Sequence, residues 1–152
     1  MSVFIVDASV AAKWFVEEEY GQAALSVLDE RNQLYAPDFL LLEMDNIICK
    51  WTRRGVITPA EVTDLRGALY QYPIKYHSFR AYLDIAFFIA NQSGQSVYDC
   101  LYVALATALN GRMITADRRL YDALKNGPYK KHIVWVGDFK ADGITDEPKN
   151  GS

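Results

Sequence analysis

Four acidic residues stand where an acid is costly or conspicuous: Asp7, Glu43, Asp99 and Asp117. Asp7 directly follows the apolar run Val3–Val6, and Asp117 follows Met113–Thr115 with Ala116 between them. Asp99 is the only charge in the stretch from Val97 to Leu109. Glu43 lies in a strongly apolar segment, with Leu40, Asn46 and Ile47 one helical turn away and Met44 beside it. A Glu among such neighbours needs a partner. If four carboxylates converge, their repulsion raises their pKa values or demands a cation. The set contains no Cys or His, so every donor is a hard oxygen, which suits Mg²⁺ or Mn²⁺ and not zinc. Such a centre activates a water and stabilises a leaving phosphate oxygen, so phosphodiester hydrolysis is its natural chemistry.

Each acid also has an ordinary reading. Asp7 and Asp117 are placed to cap the helices that follow them. Asp99 stands three residues after Ser96, the spacing of a capping box, although Glu or Gln is the usual partner there. Glu43 forms a polar stripe with Asn46 and Lys50.

Convergence depends on the elements that carry these residues. Val3–Val6 reads as a buried parallel strand. A helix with Val10, Trp14 and Phe15 on one side follows, then a helix over Gln22–Arg31 and a short strand over Gln33–Ala36. Pro37 and Asp38 start the apolar helix Phe39–Arg53, which Gly55 stops. Thr58-Pro59-Ala60-Glu61 opens a helix that runs to about Tyr72. Ile74–Tyr76 is a strand, Arg80–Gln92 a helix closed by Ser93-Gly94, and Val97–Leu109 a buried helix. A strand over Met113–Thr115, a short helix over Asp117–Lys125 and a strand over Ile133–Val136 complete the pattern. Short apolar strands separated by helices imply a parallel sheet covered on both faces. In such sheets ligands bind beyond the carboxyl ends of the strands, where Asp7 and Asp117 fall.

Composition sets the outer bounds. A chain of 152 residues, 51% hydrophobic and 23% charged, is one domain with a real core. We divide it into a folded body, residues 1–140, and a loose polar tail, residues 141–152. Sixteen basic and 19 acidic residues give a net charge of -3, which argues against a general polyanion-coating surface. Without the segment from Ala141 the chain has 16 acids and 15 bases; setting aside the four singled-out acids leaves 12 against 15. Cys49 and Cys100 both sit in apolar helical patterns and read as buried free thiols, consistent with a reducing cytoplasm. The start of the chain lacks a signal-peptide pattern, and no apolar run is long enough to span a membrane. His77 and His132 show no ligand spacing.

The segments that hold the acids resemble one known family. VDASVAAKWF at Asp7, APDFLLLEMDNII at Glu43, SVYDCLYVALA at Asp99 and ITADRRL at Asp117 are similar to PIN-domain ribonucleases of the VapC-type toxin group. RRGVITPAEV resembles the family's turn between the third and fourth helices, and the likeness runs from Val3 to Asp138. It implies a three-layer α/β/α sandwich on a parallel sheet of four to five strands. It implies Mg²⁺- or Mn²⁺-dependent endonuclease activity on RNA, leaving a 5′-phosphate and a 3′-hydroxyl. Asp7 and Asp99 would then be the principal metal ligands, Asp117 would complete the site, and Glu43 would bind metal or orient the attacking water. Thr115 matches the Thr two residues before the last Asp. Ser9 and Asn46 match polar positions that orient carboxylates. For Ser9, satisfying its own helix start is an equal alternative. The resemblance also implies a homodimer and an antitoxin peptide in a groove near Trp14, Phe15 and Trp51.

Lys13, Arg53, Arg54, Arg118 and Arg119 are candidates to hold RNA phosphates, Lys13 foremost, against the alternative of a solvated surface. The ten tyrosines read as core or interface residues before base-stacking ones. Four other readings compete. A PIN nuclease of RNA processing would carry the same acids without a toxin role. A phosphoacceptor receiver domain would carry an acidic pair after its first strand, and a haloacid-dehalogenase-type phosphatase a second Asp where Ser9 stands. A non-catalytic binding module would use the acids as caps alone.

Overall fold

The computed structural model describes residues 2–140 together with 143 and 144. The remaining residues of the expected tail lie outside that description. Five strands form one parallel sheet: β1 (Ser2–Val6), β2 (Asn32–Pro37), β3 (Ile74–His77), β4 (Arg112–Thr115) and β5 (Ile133–Trp135), in the order β3-β2-β1-β4-β5. β1 is central, with Ile5 beside Tyr35 on β2 and Met113 on β4. Phe4, Ile5 and Val6 are fully buried, as an apolar strand covered on both faces must be. From β1 the chain winds outward through β2 and β3, then returns to the other side of β1 with β4 and β5. The reversal point therefore lies between β1 and β4, the usual place for a ligand crevice in such sheets.

Seven helices cover the sheet in the α/β/α arrangement: α1 (Ala8–Ala11), α2 (Gly21–Ser26), α3 (Phe39–Arg53), α4 (Pro59–Leu69), α5 (Leu83–Ser93), α6 (Val97–Ala108) and α7 (Arg118–Leu124). α6 packs on β1, β2 and β4, and α5 packs outside α6. This explains why Cys100 to Ala106 are all buried. Gly55 and Gly94 end α3 and α5 with φ of 71° and 75°, a conformation that only glycine adopts cheaply. The Thr58–Glu61 capping box opens α4. Arg66 of α4 reaches Asp45 of α3 through two bonds of 2.8 and 3.0 Å.

Several sequence expectations shift. The helix expected over Gln22–Arg31 stops at Ser26, because Asp29 accepts the backbone N–H of Arg31 at 2.8 Å and turns the chain. The helix expected from Arg80 begins as a 3-10 turn over Phe79–Tyr82 and becomes α-helical only at Leu83. The α4 helix ends at Leu69, short of Tyr72. Beyond β5, Phe139–Lys140 pairs antiparallel with Gly143–Ile144, so these two residues of the expected tail have paired backbone. Cys49 is exposed on α3 while Cys100 is buried, since Cys49 falls on the outer side of an amphipathic helix.

Candidate active site

The four acids come from four separate elements. Asp7 ends β1 and caps α1, Glu43 is in α3, Asp99 is in the first turn of α6, and Asp117 follows β4 and caps α7. The capping reading of Asp7 and Asp117 is correct: Asp7 Oδ1 accepts Val10 N–H at 3.0 Å, and Asp117 Oδ1 accepts Leu120 N–H at 3.3 Å. Capping nevertheless accounts for only part of each group. Asp7 is 6% exposed, and its other oxygen, Oδ2, accepts the Thr115 hydroxyl at 2.6 Å. The Ser9 hydroxyl donates to Asp7 Oδ1 at 2.6 Å and accepts Ala116 N–H at 2.9 Å. Thr115 Oγ1 in turn accepts Asp117 N–H at 3.1 Å. These bonds tie the carboxyl ends of β1 and β4 into one polar unit. Ser9 and Thr115 thus both touch the first acid.

The electrostatics link the four acids in a chain. Burial, with a smaller contribution from the nearby Glu43 charge, pushes the Asp7 carboxyl up to about 7, against the hydrogen bonds that favour its ionised form. Burial also raises Glu43, and the Asp99 charge adds to it. Burial raises Asp99 as well, with Asp117 adding and Arg119 opposing. Each acid therefore senses the next, which is the convergence that the sheet-edge rule anticipates. Ser96 caps α6 by accepting Asp99 N–H at 3.1 Å, and its hydroxyl also favours the ionised Asp99 carboxylate.

The remaining candidates divide by position. Arg119 is exposed and near enough for its charge to act on Asp99. Arg118 lies with its guanidinium 3.9 Å from the centre of the Trp135 ring. Lys13 Nζ bonds Glu18 at 3.2 Å. Asn46 is exposed one turn beyond Glu43, with no hydrogen bond to any of the acids among the described residues. Trp14 and Trp51 are buried, Trp14 donating to Ala24 O at 2.9 Å, while Phe15 is partly exposed. Neither histidine meets the acids: His132 Nδ1 pairs with Gly111 O at 2.9 Å, and His77 Nδ1 with the Tyr82 hydroxyl at 2.9 Å.

One polar contact at this site escapes sequence reasoning. The Tyr102 hydroxyl donates to Glu43 Oε1. Its position three residues after Asp99, on the same face of a helix, was the available signal.

The donor set fits a hard divalent cation. It consists of carboxylate oxygens held in a setting that resists their negative charge, which a cation relieves. Among the described residues, no three His, Cys, Asp or Glu side chains already form a group able to hold a metal ion. The acids of this structure are gathered but not closed into a ligand cage.

Comparison with known proteins agrees with this geometry. The PIN domain family matches residues 4–125. Ribonuclease VapC3 of Pyrobaculum aerophilum is 34% identical over 118 residues, covering 76% of this chain and 90% of that protein. The crystal structure of PAE2754 from Pyrobaculum aerophilum superposes with a TM-score of 0.65 at 22% identity, covering 90% of this chain and 85% of the other. VapBC2 from Rickettsia felis, solved bound to a DNA fragment from its promoter, gives a TM-score of 0.59 at 14% identity, covering 88% and 96%. These two structures share the fold. The five-stranded parallel sheet and its helical cover agree with these matches, and the chain belongs to the PIN-domain family.

Proposed function

We propose that this chain is a metal-dependent endoribonuclease that hydrolyses RNA phosphodiester bonds and serves as the toxin of a toxin–antitoxin pair. The observation that carries the reading is the hydrogen-bonded polar unit of Asp7, Ser9, Thr115 and Asp117 at the carboxyl ends of β1 and β4 in a PIN fold, with Glu43 close enough for its charge to act on Asp7. The 34% identity to a ribonuclease of the VapC group supports RNA as the substrate class. Asp7 and Asp99 would hold Mg²⁺ or Mn²⁺, Asp117 would complete the set, and Glu43 would bind the cation or orient water. Once bound, the cation supplies charge neutralisation at the scissile phosphate and a more acidic water.

The chain's own residues prepare that chemistry. Ser9 and Thr115 fix the orientation of Asp7, and Thr115 also anchors the backbone of Asp117. Arg119 offers a positive charge beside Asp99 for the phosphate backbone, whereas Lys13 is paired with Glu18 and Arg118 is stacked on Trp135. Both histidines are engaged elsewhere, so proton transfer falls to the carboxylates and water.

The partner reading rests on two surfaces. A cleft of about 800 Å³ lies between the 3-10 turn Ala12–Trp14 and α2, lined by Lys13, Phe15, Glu17, Glu18, Tyr20 and Leu25 among others. Its mixed apolar and acidic lining supports docking of an antitoxin peptide with apolar and basic residues. On α5, Phe87 and Phe88 are 61% and 64% exposed, which supports pairing with a second copy of the chain. No described helix is long and apolar enough to cross a membrane, and the two unpaired cysteines suit a cytoplasmic protein.

A capping-only role explains Asp7 and Asp117, and Asp99 beside Ser96, but leaves the half-buried Glu43 unexplained. The test is RNA cleavage by Asp7→Asn and Asp99→Asn. Each variant is expected to fold and to lose at least about a hundredfold in rate, the scale of several kcal/mol of lost transition-state stabilisation. Chelator-sensitive cleavage at the wild-type rate in both would overturn the assignment. Expression without its partner is expected to arrest growth, and co-expression of the neighbouring small protein to relieve it. Harmless high-level expression of active enzyme would remove the toxin role and leave a nuclease of RNA processing.

A further inference from the structure

Tyr102 stands on α6 one turn after Asp99 and is 1% exposed, among the largest fully buried side chains of the protein. Phenylalanine would fill this volume equally well. The hydroxyl adds a polar atom that must be satisfied once buried. Its partner is Glu43 Oε1, on α3 and 59 residues away in sequence. The bond therefore joins the two helices that carry the second and third acids. The charges of Glu43, Asp7 and Asp99 also act on the Tyr102 hydroxyl.

Glu43 needs such a hold. Its side chain has more rotatable bonds than an Asp, and nothing else among the described residues hydrogen-bonds its carboxylate. Asp7, by contrast, is fixed by Ser9, Thr115 and Val10. A rigid phenol from the protein core does for Glu43 what two hydroxyls do for Asp7. It occupies one oxygen and leaves Oε2 for a cation or water.

We propose that Tyr102 is a positioning residue of the acidic site, holding the Glu43 carboxylate in its working orientation through a buried hydroxyl. This rests on the metal-dependent nuclease reading above. Tyr102 does not touch substrate; it acts through Glu43.

The test is Tyr102→Phe, which removes one oxygen and keeps the ring, measured in three ways. Mn²⁺ affinity by titration calorimetry is expected to fall about tenfold or more, the usual effect of losing a partner that orients a ligand. The kcat for RNA cleavage is expected to fall in parallel, with KM for RNA nearly unchanged and the melting temperature within a few degrees of wild type. In a Glu43→Ala background, Tyr102→Phe is expected to cause no further loss, because the hydroxyl then has nothing to orient. Wild-type Mn²⁺ affinity and kcat in Tyr102→Phe would overturn the proposal, as would an equal loss in the Glu43→Ala background. Should Tyr102→Phe fail to fold, Tyr102→Met tests the same oxygen with a more adaptable side chain. A wild-type protein that neither binds Mn²⁺ nor cuts RNA removes the nuclease reading itself. Wild-type function with an indifferent Tyr102 removes only this inference.

Discussion

The Thr115 hydroxyl donates to Asp7 Oδ2 at 2.6 Å, joining the ends of β1 and β4 across 108 residues of sequence. Thr115 Oγ1 also accepts Asp117 N–H at 3.1 Å, so one fully buried threonine sets the relation between the first and last acids. Thr115→Val keeps the shape and removes the hydroxyl. It is expected to cost about 1–3 kcal/mol of stability, because a buried carboxylate and an amide both lose their partner. Metal affinity is expected to fall about 10–100-fold. Thermal melts and Mn²⁺ titration check both, and a valine variant with unaltered metal affinity would count against this role.

The buried Asp7 makes stability depend on pH in an uncommon direction. Its carboxyl, ordinarily near 3.8, is pushed up to about 7, chiefly by burial. Between these values the folded protein holds a proton that the unfolded chain releases, so this group favours folding less as pH rises. The cost begins above pH 3.8, grows towards 7 and is complete above it. Asp7→Asn removes it. The metal-free variant is expected to gain stability over wild type as pH rises from 4 to 8, by up to about 4 kcal/mol from the shift alone. Urea melts in chelator across this range test the sign, and a pH-independent difference would refute it. Excess Mg²⁺ should narrow the gap, since a cation stabilises the ionised carboxylate.

Arg118 and Arg119 are neighbours in sequence with opposite expected roles. Arg118 stacks at 3.9 Å on Trp135 and lies 4.0 Å from Asp122, whereas the charge of Arg119 reaches Asp99. Arg119→Ala is expected to weaken RNA binding several-fold and to flatten its salt dependence, with stability unchanged. Arg118→Ala is expected to lose about 0.5–1 kcal/mol of stability through the ring contact and to affect RNA less. Fluorescence binding at two salt concentrations, with parallel melts, separates the two. Equal binding losses would mean that Arg118 also meets the substrate.

Gly111 precedes β4 where the chain passes β1. A Cβ there would stand 2.8 Å from the Val3 carbonyl oxygen and 2.8 Å from Val3 Cγ1. The carbonyl belongs to the central strand and cannot swing away. Gly111→Ala is expected to cost about 1–3 kcal/mol, a fall of roughly 2–12 °C in melting temperature for a domain of this size. Gly67→Ala, in an open position on α4, is the control and should not destabilise. A Gly111→Ala protein that melts with wild type would show that β1 and β4 can separate at this edge.

Much of the sheet was legible because buried parallel strands are short apolar runs, and Val3–Val6 and Met113–Thr115 have no other comfortable reading. The acids at their ends followed from the sheet-edge rule, and the family segments around them reinforced it. Less was legible where local polar chemistry competes with helix propensity. Asp29 stops α2 with a side-chain bond that hydrophobic spacing does not register. Cys49 and Cys100 have similar apolar neighbours, yet one is exposed because α3 has an outer side while α6 is covered from both directions by the sheet and α5.

The sequence by itself determined the residue types: four hard-oxygen acids, no rival His or Cys ligand set, and strands that must place two of those acids at one edge. Only the tertiary structure decided what each acid touches. Asp7 is a cap and also the centre of a hydroxyl network. Arg118 turns to an aromatic ring while its neighbour acts on Asp99, and a core tyrosine holds Glu43. The reason is physical. Strand ends and helix caps are set by local patterns, but the partner of a buried oxygen is chosen by whichever donor packing brings within 3 Å of it. Thr115 and Tyr102 reach theirs across 108 and 59 residues of chain.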